Sequence, residues 1–104
     1  MTTVIAFPTP RPQPSRDELA ERVRELVTAG SVAFDHPHFQ LRLAQRSISM
    51  RQVLEVLKHG NVVDGPKLDP YGDWRLKLQR KVAGRRVQVV VAVGATLLSA
   101  VTVI

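Results

Sequence analysis

The sequence predicts an α+β fold in which N-terminal helices pack on a three- to four-stranded antiparallel sheet. Two observations support this fold class. Residues 16–59 carry apolar side chains at the three- and four-residue spacing of amphipathic helices. Residues 74–104 instead carry alternating or continuous apolar runs, separated by glycine-containing turns, as strands do. Because the helical segments precede the strands, the order favours separate layers of helix and sheet.

Three helices are predicted by capping residues and apolar spacing. Ser15 starts the first, Asp35 is the expected cap of the second, and Ser49, with Gln52 three residues on, starts the third. Glycines end the first and the third helix. The first predicted helix covers about residues 16–29, the second has Pro37 in its first turn and runs to about Arg46, and the third covers residues 50–59.

The strands are predicted from apolar alternation and turn residues. Gly65-Pro66 should form a turn after the first strand, and Ala83-Gly84 should close a hairpin. A further extended piece is expected at residues 31–34, between the first two helices. The predicted strands cover residues 74–79, 86–93 and 97–104, and residues 61–64 form either a short strand or the entry to a loop.

Composition limits the class of protein. The chain has 104 residues and no cysteine, which fits one domain with neither disulfides nor thiolate metal sites, as in a cytoplasmic protein. Fifteen Lys and Arg against nine Asp and Glu give a net charge of +6, which favours polyanionic partners such as RNA. No standard metal-ligand spacing is present, so we expect no metal and no cofactor.

The chain is expected to hold a proline-rich flexible tail at residues 1–14 and one domain at 15–104. Alternating prolines in "TPRPQP" are incompatible with a helix. Residues 87–104 are apolar enough to suggest a membrane span. However, they are rich in valine, contain Gln88 and are interrupted by Gly94, which favours a β-hairpin and no membrane.

His38, Arg42 and Arg46 are four residues apart and would form one stripe on the second helix. The stripe would span about 12 Å and combine a proton-transfer group with two forked cations, a set suited to a phosphate. In the alternative interpretation the arginines pair with aspartates and the histidine is hydrogen-bonded locally.

Thr102 is a further candidate because its hydroxyl is expected on an apolar strand face with Leu98, Ala100 and Ile104. If that face meets the second helix, Thr102 approaches the stripe. The alternative is that threonine is there only as a good strand former.

A basic hairpin is the candidate nucleic-acid-binding element. Its cations could follow a nucleic-acid backbone, or they could simply discourage edge-to-edge pairing of strands. The residues are Arg75, Lys77, Arg80, Lys81, Arg85 and Arg86.

The stretch "HFQLRLAQRSISMRQVLEVLKHG", from His38 to Gly60, resembles a bacterial domain-of-unknown-function family, DUF4258. That family has a histidine, two arginines at four-residue steps, Ile-Ser, a Val/Leu helix and glycine, then a final strand with Val-Thr-Val, here residues 101–103. The resemblance covers roughly residues 34–104 and also points to Thr102. The family is similar in layout to RelE-like toxins and their ribonuclease superfamily, which implies a RelE-like fold, an RNA substrate and a cognate antitoxin protein as partner.

These observations lead to the hypothesis of a toxin-like, metal-independent ribonuclease or RNA-binding protein. His38 would take the proton from a ribose 2′-hydroxyl, Arg42 and Arg46 would hold the phosphate, and Thr102 would orient a group. The alternative is a non-catalytic module that binds protein or nucleic acid and whose His/Arg stripe is structural.

Overall fold

The computed structural model describes residues 13–104 and confirms the α+β class. Three helices share one hydrophobic core with one face of a five-stranded sheet. The predicted tail falls mainly on residues 1–12, outside the described residues. In chain order the elements are α1 (Arg16–Thr28), β1 (Val32–Ala33), α2 (Pro37–Arg46), α3 (Met50–His59), β2 (Asn61–Leu68), β3 (Trp74–Val82), β4 (Arg85–Val93) and β5 (Leu98–Val103).

The sheet has the strand order β1-β5-β4-β3-β2 and is mixed. Neighbours pair antiparallel except for β1 and β5, which are parallel, with Val32 opposite Leu98. Strands β2 to β5 are antiparallel, as predicted, but the sheet has a fifth strand, β1, whose parallel pairing with β5 was not predicted. The extra strand has two residues, too few to show an apolar period, and the register is fixed by a remote partner: the Leu98 N–H donates to the Ser31 carbonyl at 2.9 Å.

Strand β2 is longer than predicted because it continues through Gly65-Pro66 instead of turning there. Its pairing with β3 shifts register between Val62 and Asp64 and again before Lys67. Proline has no N–H to donate, but it is tolerated at such irregular positions of an edge strand. Gly65 has φ +93°, and a Cβ there would lie 2.5 Å from the Arg75 carbonyl oxygen, so this close approach requires glycine.

The helix starts follow local capping chemistry, with one difference from the prediction. The α2 cap is His36, not Asp35: its ring Nδ1 accepts the backbone N–H of His38 at 3.2 Å. At α3 the predicted capping box is confirmed, since the Ser49 hydroxyl accepts the Gln52 N–H and the Gln52 side chain accepts the Ser49 N–H. The sequence pattern missed His36 because a histidine nitrogen caps a helix less commonly than a carboxylate does.

The core lies between the helices and one side of β3, β4 and β5. Phe39 of α2 and Val53 and Val56 of α3 are fully buried there against strand residues such as Leu78 and Val89. The apolar segment at residues 87–104 forms β4 and β5, as expected. No helix in residues 13–104 is long and apolar enough to cross a membrane.

The capping box predicts a measurable stability effect. Replacing Ser49 with alanine leaves the Gln52 N–H without its acceptor and should lower the free energy of unfolding by about 1 kcal/mol. Thr96→Ala, which changes an exposed hydroxyl in the turn before β5, is the control and should be neutral. Chemical denaturation of both variants measures the difference. Equal stability of Ser49→Ala and the parent chain would contradict the structural role of the cap.

Candidate nucleic-acid interface

One face of the sheet is free of helices in the described part of the chain, and we call it the open face. Because strand side chains alternate, the residues next to the buried ones in β3 and β4 point away from the core. Strand pairing extends this face to β2 and β5. It is formed by Asn61, Asp64, Lys67, Arg75, Lys77, Gln79, Lys81, Arg86, Gln88, Val90, Ala92, Ser99 and Thr102.

The open face is strongly basic: it carries five cations and a single carboxylate, Asp64. Asp64 lies 3.5 Å from Lys67, and its pKa is lowered by the Gly65 N–H that it accepts and then by the charge of Lys67. Lys77, Lys81 and Arg86 have neither a hydrogen bond nor an ion pair with any residue of 13–104. The face therefore holds unneutralised positive charge.

Thr102 belongs to the open face and not to the core side. The β4–β5 pairing shifts register between Val90 and Val91, so Val103 takes the inward position and Thr102 lies opposite Val90. The expectation that Thr102 shares a face with Leu98 and Ala100 was therefore wrong, because the extra residue at a bulge reverses the alternation beyond it.

On the open face, Thr102 lies near the basic residues. Val90 pairs with Thr102 on one side and with Lys77 on the other, so these three side chains form a row across the sheet. From the spacing of paired strands, the Thr102 and Lys77 backbones are about 10 Å apart. The Thr102 hydroxyl contacts only the Val103 carbonyl, at 3.4 Å, within the described chain.

Arg80 and Arg85 of the predicted basic hairpin point to the helix side instead. The Arg80 Nε lies 3.3 Å from a Glu55 carboxylate oxygen, and its Nη1 donates to the His59 carbonyl. Arg85 donates to the carbonyls of Arg46 and Ser47 at the end of α2, at 2.8 and 3.2 Å. These two arginines hold the hairpin against α2 and α3, while Arg75, Lys77, Lys81 and Arg86 lie on the open face.

The His/Arg stripe lies on the solvent side of α2. His38 and Arg46 are exposed and Arg42 is half-buried. Within residues 13–104 their side chains make no hydrogen bond or ion pair, so the aspartate partners of the alternative interpretation are absent there. The principal concave surfaces of that part of the chain are lined by other residues. Thr102 therefore lies beside the basic strands, whereas the stripe lies on α2, the helix that packs along β5.

Asp69, which the sequence places in a turn, fixes the loop at one end of the open face and pairs with Arg75 instead of with the arginines of α2. Its side chain is only 3% exposed, accepts the backbone N–H groups of Tyr71 and Asp73 at 2.9 Å, and lies 3.3 Å from the Arg75 Nε. Burial alone raises the pKa of Asp69, but these hydrogen bonds and the Arg75 charge outweigh it and lower the pKa below 3.8. The segment Asp-Pro-Tyr-Gly-Asp was a turn signal that pointed to this arrangement.

Comparison with known proteins gives one match. The family model described as "Domain of unknown function (DUF4258)" matches residues 36–104, which is more than half of the chain and includes the stripe and the open face. No curated protein and no solved structure matches the chain. In residues 13–104 no three His, Asp or Glu side chains are grouped to hold a metal ion.

The lowered pKa of Asp69 predicts a pH-dependent stability. Its contribution is complete above the unfolded pKa of about 3.8 and is lost as the pH falls through the lower folded value. Asp69→Asn should lower the free energy of unfolding by about 1.5 kcal/mol at pH 7, through loss of charge-assisted hydrogen bonds. The deficit should shrink below pH 4. Urea titrations at pH 7 and pH 3 measure it, with exposed Asp35→Asn as control; a deficit equal at both pH values would refute the assignment.

Proposed function

This chain belongs to the family described as "Domain of unknown function (DUF4258)", and we propose that it is a toxin-like protein that binds RNA across the open face of its sheet. The observation that carries the proposal is the set of three cations, Lys77, Lys81 and Arg86, that form no ion pair within residues 13–104; Asp64, opposite Lys77 in the sheet, is the one carboxylate on this face. Cationic side chains of this kind contact phosphates, release counterions and give affinity that does not depend on sequence.

The geometry of the open face suits an extended polyanion. Along β3 every second residue from Arg75 to Lys81 points to the open face, and all of these are cations except Gln79. At the rise of a strand, this row is about 20 Å long. Gln79 is hydrogen-bonded to Gln88 across the strands at 2.7 Å, which holds both amides in place. The described face has no aromatic side chain, so the proposed recognition relies on phosphates and 2′-hydroxyls rather than on base stacking.

The RelE-like layout and the antitoxin partner are part of the same proposal. Helices on one side of a sheet whose other side is free are compatible with such a layout. A protein antitoxin would act by covering the open face, and it would need acidic side chains opposite Lys77, Lys81 and Arg86 to neutralise their charge. The proposed site of action is the cytoplasm.

A metal-independent ribonuclease activity is the second candidate function. Two observations on the stripe favour this activity: His38 is exposed, and Arg42 and Arg46 have no carboxylate partner among residues 13–104. In this reaction His38 would accept the proton of a ribose 2′-hydroxyl, and that oxygen would attack the adjacent phosphorus to form a 2′,3′-cyclic phosphate. The bond from phosphorus to the 5′-oxygen would break, and the 5′-oxygen would take a proton from water. The arginines would stabilise the charge on the phosphate. RNA on the open face would reach α2 across β5 and Thr102.

The RNA-binding proposal predicts a steep dependence of affinity on salt. Each phosphate contact contributes about 0.7 to the slope of log K against log salt for a single strand. Arg86→Gln should therefore flatten this slope by about one contact. Anisotropy titrations of a labelled single-stranded RNA at several salt concentrations measure it.

The matched control is the neighbouring variant Arg85→Gln, which loses the bonds to the end of α2. It should lower the melting temperature and leave the salt slope unchanged. Absence of RNA binding at low salt, or a slope that is the same in parent and Arg86→Gln, would contradict the proposal.

The ribonuclease candidate predicts that the parent chain cleaves RNA in the presence of a chelator and arrests growth when expressed, whereas His38→Ala does neither. Arg42→Lys should also be unable to cleave RNA, because lysine cannot form the two parallel hydrogen bonds that an arginine makes to a phosphate. Both variants should still bind RNA, since the open face is unchanged. Cleavage by His38→Ala at the parental rate would eliminate this mechanism and leave RNA binding alone.

A further inference from the structure

A second basic concavity lies at the end of the β3–β4 hairpin, on its helix side. It has a volume of about 410 Å³ and lies between the first turns of α3 and the hairpin. Arg51, Gln52 and Glu55 line it from α3, and residues 80–83 line it from β3 and the turn. We call it the end pocket. Of the residues that line the end pocket, only Lys81 also belongs to the RNA-binding surface proposed above.

The charges of the end pocket do not cancel. Arg80 is neutralised by Glu55 at 3.3 Å and is held in addition by the His59 carbonyl, so it forms a fixed wall. Arg51 and Lys81 have no ion pair or hydrogen bond with the described chain. Three cations and one carboxylate leave a lining charge of +2.

The end pocket and the open face meet at one shared residue, Lys81. Lys81 lines the end pocket and also lines the neighbouring concavity on the open face, together with Gln79, Gly84 and Arg86. The hairpin turn at Ala83 and Gly84 is tight, with both residues at positive φ, so only a short step around the strand separates the two surfaces. A nucleic-acid strand that follows β3 along the open face therefore reaches the end pocket at the hairpin tip.

We propose that the end pocket binds the terminal phosphate monoester of the RNA, which rests on the proposed RNA-binding function. A terminal phosphate carries about −1.5 to −2 charges at pH 7, whereas an internal phosphodiester carries one. The pocket therefore offers the unpaired charge of Arg51 together with that of Lys81, which it shares with the open face, and this excess favours the more highly charged terminal group. Arg51 supplies a planar fork for two phosphate oxygens, and Lys81 supplies a point charge shared with the preceding phosphate.

The experiment compares three labelled RNAs of one sequence, with a 5′-phosphate, with a 3′-phosphate, or with hydroxyls at both ends. Anisotropy titrations with the full chain should show about tenfold tighter binding of one phosphorylated RNA than of the hydroxyl RNA. The comparison of the two phosphorylated RNAs identifies which end is bound. A nucleoside monophosphate of the same polarity should compete for this extra affinity, and inorganic phosphate should compete more weakly.

Arg51→Gln is the test variant, and Lys58→Gln, an exposed lysine of α3 that does not line the pocket, is the control. The preference should disappear in Arg51→Gln and persist in Lys58→Gln, with melting temperatures equal to that of the parent. The proposed role of the end pocket would be overturned by equal affinity for all three RNAs or by a preference that persists in Arg51→Gln. Either result would leave the proposed binding by the open face intact. Failure to bind any of the RNAs would overturn the proposed function itself.

Discussion

The unbroken pairing of β3 with β4 is the constraint on which the rest of the molecule depends. Nine residues of β3 pair with nine of β4 without a shift in register. Because side chains alternate along both strands, this single register places Leu76, Leu78, Val87 and Val89 in the core and the unpaired cations on the other side. A slip of one residue would bury Lys77 and expose Leu78, so the stability of the core and the charge of the open face are fixed together.

The outer strands depart from this regularity, and the departures shape the candidate site. In β5 the register shift turns Thr102 out of the core and into line with Lys77. In β2 one extra residue between Val62 and Asp64, and another between Asp64 and Lys67, place both Asp64 and Lys67 on the open face. Bulges allow an edge strand to bend while its inward residues remain buried, so the polar residues of the face are set by local irregularity and not by simple alternation.

Sequence reasoning recovered the features that depend on neighbours in the chain. The helix at residues 37–46 and the Ser49 cap were predicted because their signals lie within one or two turns. The pairing of the extended piece at residues 31–34 with β5, and the outward position of Thr102, were missed because both depend on residues far away in sequence. The sequence also held an unused signal that divides the cations of the basic hairpin between the two faces. Arg80 and Arg85 are in phase with the apolar Leu78 and Val87, and this alternation places them on the helix side.

The two arginines on the helix side explain how a hairpin can present charge in a fixed position. Hairpin ends usually fray, because their last residues have few buried contacts. Here Arg85 bonds to the carbonyls that end α2, and Arg80 is held between Glu55 and the last carbonyl of α3. Since both helices are packed in the core, these bonds attach the hairpin tip to the packed part of the protein. They fix the backbone that carries Lys81, so the proposed phosphate contact would require ordering of the lysine side chain but not of the hairpin.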